Sequence, residues 1–543
     1  MRRGFTISLL WAVAMYGSAF VNEGTPGWQV LRSQAISASE RASYEEAEQL
    51  FRSALSSLPD PAGVGAVTLW NELGEAQAAQ SRLADAERDY HRAIEINRNL
   101  KHPDDFELAV SMNDLAAISH AVGQFASAEA LLRQSYSLLQ KNQTRANVIA
   151  GSVLSNLGLN IQRQGRYEEA RQVYERAAAI IRESKGERSG EFAKLLTNSA
   201  LLSYETGRYT DALEKDKKAL EIEQALQLAT GDTEALTLNN LGLILYELGR
   251  LSEAEPLLLK AIALERKSPA GRYPNFPEAL NNLAVLEMKT GRLDASRQHG
   301  MEALKSIQTY GGNQDPRMAI AWTNLGMVEA ARNNLQEAKE LHEKASDLLL
   351  KTLGPDSPNY AAALSNIASI ESKQGHQKKA RALYERALHI DEARFGPNHP
   401  QVAADLSNLA VELFKRKKID NALPLFQRAE QIQEKSFGSD NVRLAQTWRN
   451  IAVVHRTSKQ FDEASTAYSK AIRIFEASSG TDNPMLSTWL QEYSEVLKKQ
   501  QRFADAERAV TRALGIQVRN TLKAAGAEKK NQARLDKKPE DKS

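Results

Sequence analysis

Cysteine is absent from all 543 residues. That excludes a disulfide framework, a thiol nucleophile, a thiolate zinc site and cysteine-linked lipid anchors, and it suits an oxidising compartment. Aromatic residues make up only 6% of the chain, and strand-like runs of Val, Ile and Thr are hard to find. Nor is there an excess of one charge: 70 basic and 68 acidic residues leave a formal net charge of +2. No field therefore covers the whole surface to hold a polyanion, and nucleic acid is not an expected partner. Beyond the first twenty residues no stretch is apolar enough to cross a bilayer, so the mature chain has no expected membrane span.

Catalytic signatures are missing too. The nine histidines are scattered without a His-Glu-x-x-His pattern, and no Gly-x-Ser-x-Gly elbow, phosphate-binding Gly-x-x-x-x-Gly-Lys or dinucleotide fingerprint occurs. Carboxylate pairs such as Glu45-Glu46 and Glu168-Glu169 open helices, where negative charge complements the helix dipole. The reading is of a protein that is not an enzyme, with no metal and no cofactor.

What fills the chain is Ala, Leu, Glu, Gln, Lys and Arg, all good helix formers, and the fold class is all-α. A chain this long cannot bury one compact core, so it must be several domains or a stack of repeats. The first residues differ from the rest: Arg2 and Arg3, an apolar run from Phe5 to Tyr16, then Gly17, Ser18 and Ala19. This layout is that of a secretory signal peptide over residues 1–19, which predicts a periplasmic or extracellular protein. The alternative is a membrane anchor made by the same segment left uncleaved.

Internal self-similarity organises the remainder. The residue before a recurrent pair, Leu-Ala or Leu-Gly in seven units, falls at Glu72, Asp114, Asn156, Asn198, Asn240, Asn282, Asn324, Asn366, Asn408, Asn450 and Glu492, each 42 positions after the last. Twenty-one residues on, ten of the eleven units place alanine, Ala93 through Ala513, with Ser135 the exception. Fourteen residues on comes a second small column, Ala86 through Ala506, with Ser296 the exception. Helices approach closely only where side chains are small, so these columns mark helix crossings. Nine residues after the anchor, Gly123, Gly165, Gly207, Gly249, Gly291 and Gly375 end a helix. Two positions later an apolar residue such as Phe125, Tyr167, Leu251 or Phe461 begins the next. Pro274, Pro316, Pro358, Pro400 and Pro484, eight before the anchor, open the first helices. Each unit is a helix, a tight turn and a second helix. Residues 61–522 hold eleven such units, residues 20–60 hold a divergent first repeat marked by Tyr44-Glu45-Glu46-Ala47 and Ala54, and residues 523–543 read as a disordered charged tail.

Leu157-Gly158, Gly165, Tyr167, Ala170, Tyr174 and Ala177 match the tetratricopeptide consensus in order and spacing. Gly396-Pro397-Asn398-His399-Pro400 leading into Leu406-Ser407-Asn408-Leu409-Ala410 resembles the 42-residue repeats of kinesin light chains and their bacterial relatives. The resemblance implies a right-handed superhelical solenoid of about eleven to twelve helix-turn-helix tetratricopeptide repeats. It implies no motor attachment, because kinesin light chains carry a heptad coiled coil where this chain has its signal-like segment.

In such a stack the first helix of each unit lines the concave side, so the asparagine anchors become a ladder. An amide both donates and accepts, and can bond the backbone of an extended peptide whatever its sequence. The resemblance carries a partner-binding role onto Asn156, Asn198, Asn240, Asn282, Asn324, Asn366, Asn408 and Asn450; Glu72, Asp114 and Glu492 depart from it. The competing role for the same amides is to hold neighbouring helices in register. Lys373, Lys415, Arg416, Lys417, Lys418, Arg456 and Lys459 follow in the same units and would make the C-terminal groove basic. The predicted function is a non-enzymatic scaffold that binds peptide segments or helices of partner proteins; the alternative is a self-associating architectural protein of the cell envelope.

Overall fold

The structure, a computed structural model, describes residues 26–41, 43–80, 82–141, 143–226, 231–266, 276–312 and 314–535. The signal-like segment, Pro274 and residues 536–543 lie outside the described residues. Every regular element among them is a helix.

The chain forms two compact units divided between Ser199 and Ala200. In the first are α1 (Gly27–Glu40), α2 (Tyr44–Ser56), α3 (Val64–Ala79), α4 (Leu83–Asn99), α5 (Asp105–Ala121), α6 (Phe125–Lys141), α7 (Gln143–Arg163) and α8 (Tyr167–Ser184). Helix α9 (Gly190–Glu205) crosses the division. The second holds α10 (Tyr209–Ala225), α11 (Gly231–Glu247), α12 (Leu251–Glu265), α13 (Phe276–Lys289), α14 (Leu293–Gly311), α15 (Arg317–Ala331), α16 (Leu335–Leu353) and α17 (Pro358–Lys373). It continues with α18 (Gln377–Phe395), α19 (Pro400–Lys415), α20 (Ile419–Phe437), α21 (Val442–Thr457), α22 (Phe461–Ser479), α23 (Pro484–Lys499) and α24 (Phe503–Leu535). The apolar residues expected to open second helices are the first residues of α6, α8, α10, α12, α14, α16, α20, α22 and α24.

Local chemistry sets these boundaries. Pro358, Pro400 and Pro484 occupy the first turn of α17, α19 and α23, where a missing N–H costs nothing. Just ahead of helices α17, α19, α21 and α23 stand Ser357, His399, Asn441 and Asn483, whose side chains each accept a hydrogen bond from the backbone N–H two residues on. His399, a loop residue in the repeat pattern, is thus a cap, and its ring also stacks on Phe395 with centroids 4.3 Å apart. The turn glycines from Gly123 to Gly375 have φ between +69° and +84°. Four units place another residue at that step: Asn333, Lys417, Lys459 and Gln501 take positive φ themselves.

Both small columns are sealed. Ala93, Ala177, Ala261, Ala345, Ala429 and Ala513 are 0% exposed, as are Ala86, Ala170 and Ala422. The two helices of a unit meet across them, and each second helix packs on the next first helix. First helices also touch each other in series, α3 with α5 and α5 with α7 in the first unit, α11 through α21 by alternate helices in the second. Successive second helices make no comparable contact among the described residues. The first helices are therefore the inner layer of each stack.

Two differences from the sequence reading stand out. Helix α24 runs on to Leu535, so much of the segment assigned to a disordered tail is helical. Its Ala, Lys, Glu, Gln and Arg content supports helix by propensity even without an apolar face. In the second unit, moreover, the stack returns on itself. The Asn441 amide donates to the Thr206 carbonyl, and a Cβ added at Gly207 would lie 2.9 Å from Asn441 and Val442. Gly249 stands in the same relation to Asn483 and Pro484, again 234 residues along, with 3.3 Å to the Pro484 ring.

Candidate partner-binding surface

The anchor column falls on the inner layer, but its members do different work. Asn156 Nδ2 donates to Asn113 Oδ1 at 2.9 Å, Asn198 to Ser155 Oγ at 3.1 Å and Asn282 to Asn239 Oδ1 at 2.9 Å. Each bond reaches 43 residues back, to the residue just before the preceding anchor, and ties one first helix to the next. Asn240 is buried, with neither amide atom hydrogen-bonded. Asn450 Oδ1 accepts from Gln446 of its own helix at 3.2 Å.

Asn324 and Asn366 are half-buried, Asn408 is exposed, and no side-chain hydrogen bond engages these three amides among the described residues. They sit in stripes at helical spacing: Ile320, Asn324 and Met327 on α15, Ala362, Asn366 and Ser369 on α17, Ala404, Asn408 and Val411 on α19. Each stripe offers one amide between small or apolar neighbours, at least partly open to solvent. An extended chain laid across them would meet one donor and acceptor per unit.

The acidic anchors are not free charges. Arg32 Nε donates to both oxygens of Glu72 at 2.9 Å, and Arg449 Nε donates to Glu492 at 2.9 Å. Arg449 occupies the position taken by Asn113 and Asn239 in other units, so ion pairs close the ladder where amide pairs do elsewhere. This could have been read in the sequence, since an arginine stands 43 residues before Glu492. Asp114 is buried; burial pushes its carboxyl up to about 7, although Asn113 donates to it at 3.0 Å. Burial, with the charges of Asp114 and Glu72, also raises Glu75 well above the ordinary range.

The basic residues expected to line the C-terminal groove lie elsewhere. Arg416 to Lys418 and Lys459 belong to the turns that link first and second helices, and Lys373 and Lys415 to the last turn before them. They form an edge at these turns, where Lys373, Lys415, Lys417, Lys418 and Lys459 are exposed and Arg416 is half-buried. Glu371, buried beside this edge, would be raised by that burial, but Lys379, Lys339 and His376 hold it down to about 2. No group of three or more His, Asp or Glu residues with metal-site geometry occurs among the described residues.

Profiles of the tetratricopeptide repeat match residues 65–141, 191–267, 276–351, 317–393, 379–435, 406–477 and 443–517, and a second such profile matches 151–187. The chain belongs to the tetratricopeptide repeat family. Among solved structures it is similar to BtubC (BKLC) from P. vanneervenii, at 22% identity and a TM-score of 0.34, over 46% of this chain and 93% of that one. It is also similar to a Podospora anserina kinesin light chain protein with nearly identical TPR-like repeats, at 20% identity and a TM-score of 0.33, over 38% of this chain and 97% of that one. No curated protein matches it.

Proposed function

We propose that the protein is a non-enzymatic scaffold that holds extended peptide segments of partner proteins along the inner layer of its second unit. The observation that carries this reading is the run Asn324, Asn366 and Asn408, three amides on successive first helices with no side-chain partner. Burying an amide costs little only when its hydrogen bonds are supplied, and a bound peptide backbone would supply them. Asn156, Asn198 and Asn282 serve the other role, register between helices, through bonds already made.

Replacing Asn324, Asn366 and Asn408 together with alanine is expected to reduce capture of partner proteins from native envelope fractions while leaving the melting temperature nearly unchanged. The same change at Asn156 and Asn198 should instead destabilise the first unit, and at Asn282 the second, by about 1 kcal/mol per lost bond. Undiminished capture by the first variant, or a large fall in its melting temperature, would refute the assignment.

Export belongs to the same proposal and rests on Arg2, Arg3, the apolar run to Tyr16 and the small residues to Ala19. N-terminal sequencing of protein from fractionated cells should find a mature end near Phe20 in the exported fraction. Full-length chain confined to the cytosol would end that reading.

A further inference from the structure

The edge formed by the helix-to-helix turns differs sharply between early and late units. In early units most of its arginines are neutralised locally: Arg82 pairs with Glu48 and Asp85, Arg166 with Glu129, Arg250 with Glu253 and Arg292 with Glu255, while Arg208 donates to the Thr206 hydroxyl. From α17 to α22 the edge carries Lys373, Lys378, Arg416, Lys417, Lys418 and Lys459, and none of them forms an ion pair among the described residues. Lys415 donates only to the Ser372 hydroxyl, at 3.0 Å. The nearby acids do not balance them. Glu371 is occupied by Lys339, Lys379 and His376, Glu412 is buried and accepts from Ser372, and Asp420 and Asp462 open the following helices.

The backbone adds a second, independent observation. Lys417 and Lys459 sit at φ +58° and +61°, at the step where six other units use glycine. A lysine in the left-handed region has an energetic cost that glycine avoids, and such strain persists where the side chain serves a purpose. Uncharged Asn333 and Gln501 take the same step in other units; at Lys417 and Lys459, two consecutive units, the exposed turn residue is a cation.

We infer that this edge is a second docking surface, separate from the asparagine stripes, and that its occupant is an acidic segment of a partner protein. Its charges are mostly lysine ammoniums, which lack the bidentate fork that favours phosphate. No Phe, Tyr or Trp stands among these turn residues to stack a base, and the His376 ring is engaged by Glu371. No large apolar side chain between Leu353 and Met485 is exposed, so nothing on the edge would insert into a bilayer. Carboxylates along an extended acidic chain match such a row of separate cations.

The test uses the full chain and a fluorescein-labelled polyglutamate peptide, with binding followed by anisotropy. The peptide should bind, and binding should weaken as salt rises from about 50 to about 300 mM. The variant Arg416→Gln/Lys417→Gly/Lys418→Gln should lose about tenfold in affinity, equivalent to about 1.4 kcal/mol. Because glycine relieves the turn, its melting temperature should not fall. The Asn324, Asn366 and Asn408 alanine variant should keep the peptide, which separates this surface from the groove. Equal binding by the turn variant overturns the inference. So does tighter binding of phosphatidylserine-containing vesicles or of oligo-dT than of the peptide.

Discussion

Asp114→Asn is expected to stabilise the first unit at pH 8, by more than about 1 kcal/mol, and to have almost no effect at pH 4. In the unfolded chain this carboxyl ionises near pH 4, whereas burial in the fold raises it to about 7. Below both values the folded and unfolded chains hold the proton alike, and the residue has no charge to bury. Between them the unfolded chain releases its proton first, so stability falls as pH rises; above about 7 the whole loss remains. Asparagine keeps the oxygen that accepts from Asn113 and removes the ionisation. His120, in the same helix, is lowered to about 4 by burial, so its contribution is lost as pH falls from its ordinary value towards 4. That term is common to both proteins and cancels in the difference. Urea unfolding followed by circular dichroism at the two pH values measures the effect. A difference at pH 8 below about 1 kcal/mol would mean that Asp114 ionises there without cost.

Gly207→Ala should cost about 3 kcal/mol, against about 1 kcal/mol for Gly291→Ala. Both glycines take positive φ, +69° and +82°, so both substitutions pay the left-handed penalty. Only at Gly207 does the new methyl meet other atoms, Asn441 and Val442 at 2.9 Å, whereas nothing lies within 4 Å at Gly291. Asn441 cannot easily withdraw, because its side chain also accepts from the Arg443 N–H and caps α21. Thermal unfolding of the two variants side by side isolates the return contact. Equal melting temperatures would show that the stack does not close on itself between Thr206 and Asn441.

Much of the candidate surface was legible as a pattern and illegible as a function. The 42-residue spacing of Asn156 through Asn450 puts every anchor at the same step of a first helix, and there the structure has them. The residue 43 positions earlier holds the amide in three units, Asn113, Ser155 and Asn239, while Asn281, Thr323 and Ser365, the equivalents for Asn324, Asn366 and Asn408, hold none. Residue type in that column does not decide it, because the Ser155 hydroxyl accepts from Asn198 whereas the Asn281 amide oxygen accepts from nothing, so the pairing was not legible from the sequence. The basic run from Lys415 to Lys418 was visible too, but its position on an edge was not. That depended on Lys417 adopting the turn conformation usually left to glycine.

Helix starts, turns and crossings were written into the chain residue by residue, because proline, capping side chains, turn residues and small columns act within one or two turns of helix. The all-α repeat architecture follows from those short-range signals multiplied at a constant period. Tertiary structure alone decided which asparagines remain available, which charges are neutralised, and where the stack divides or meets itself. Those outcomes rest on contacts between residues a whole unit or more apart, which no local rule of conformation can rank.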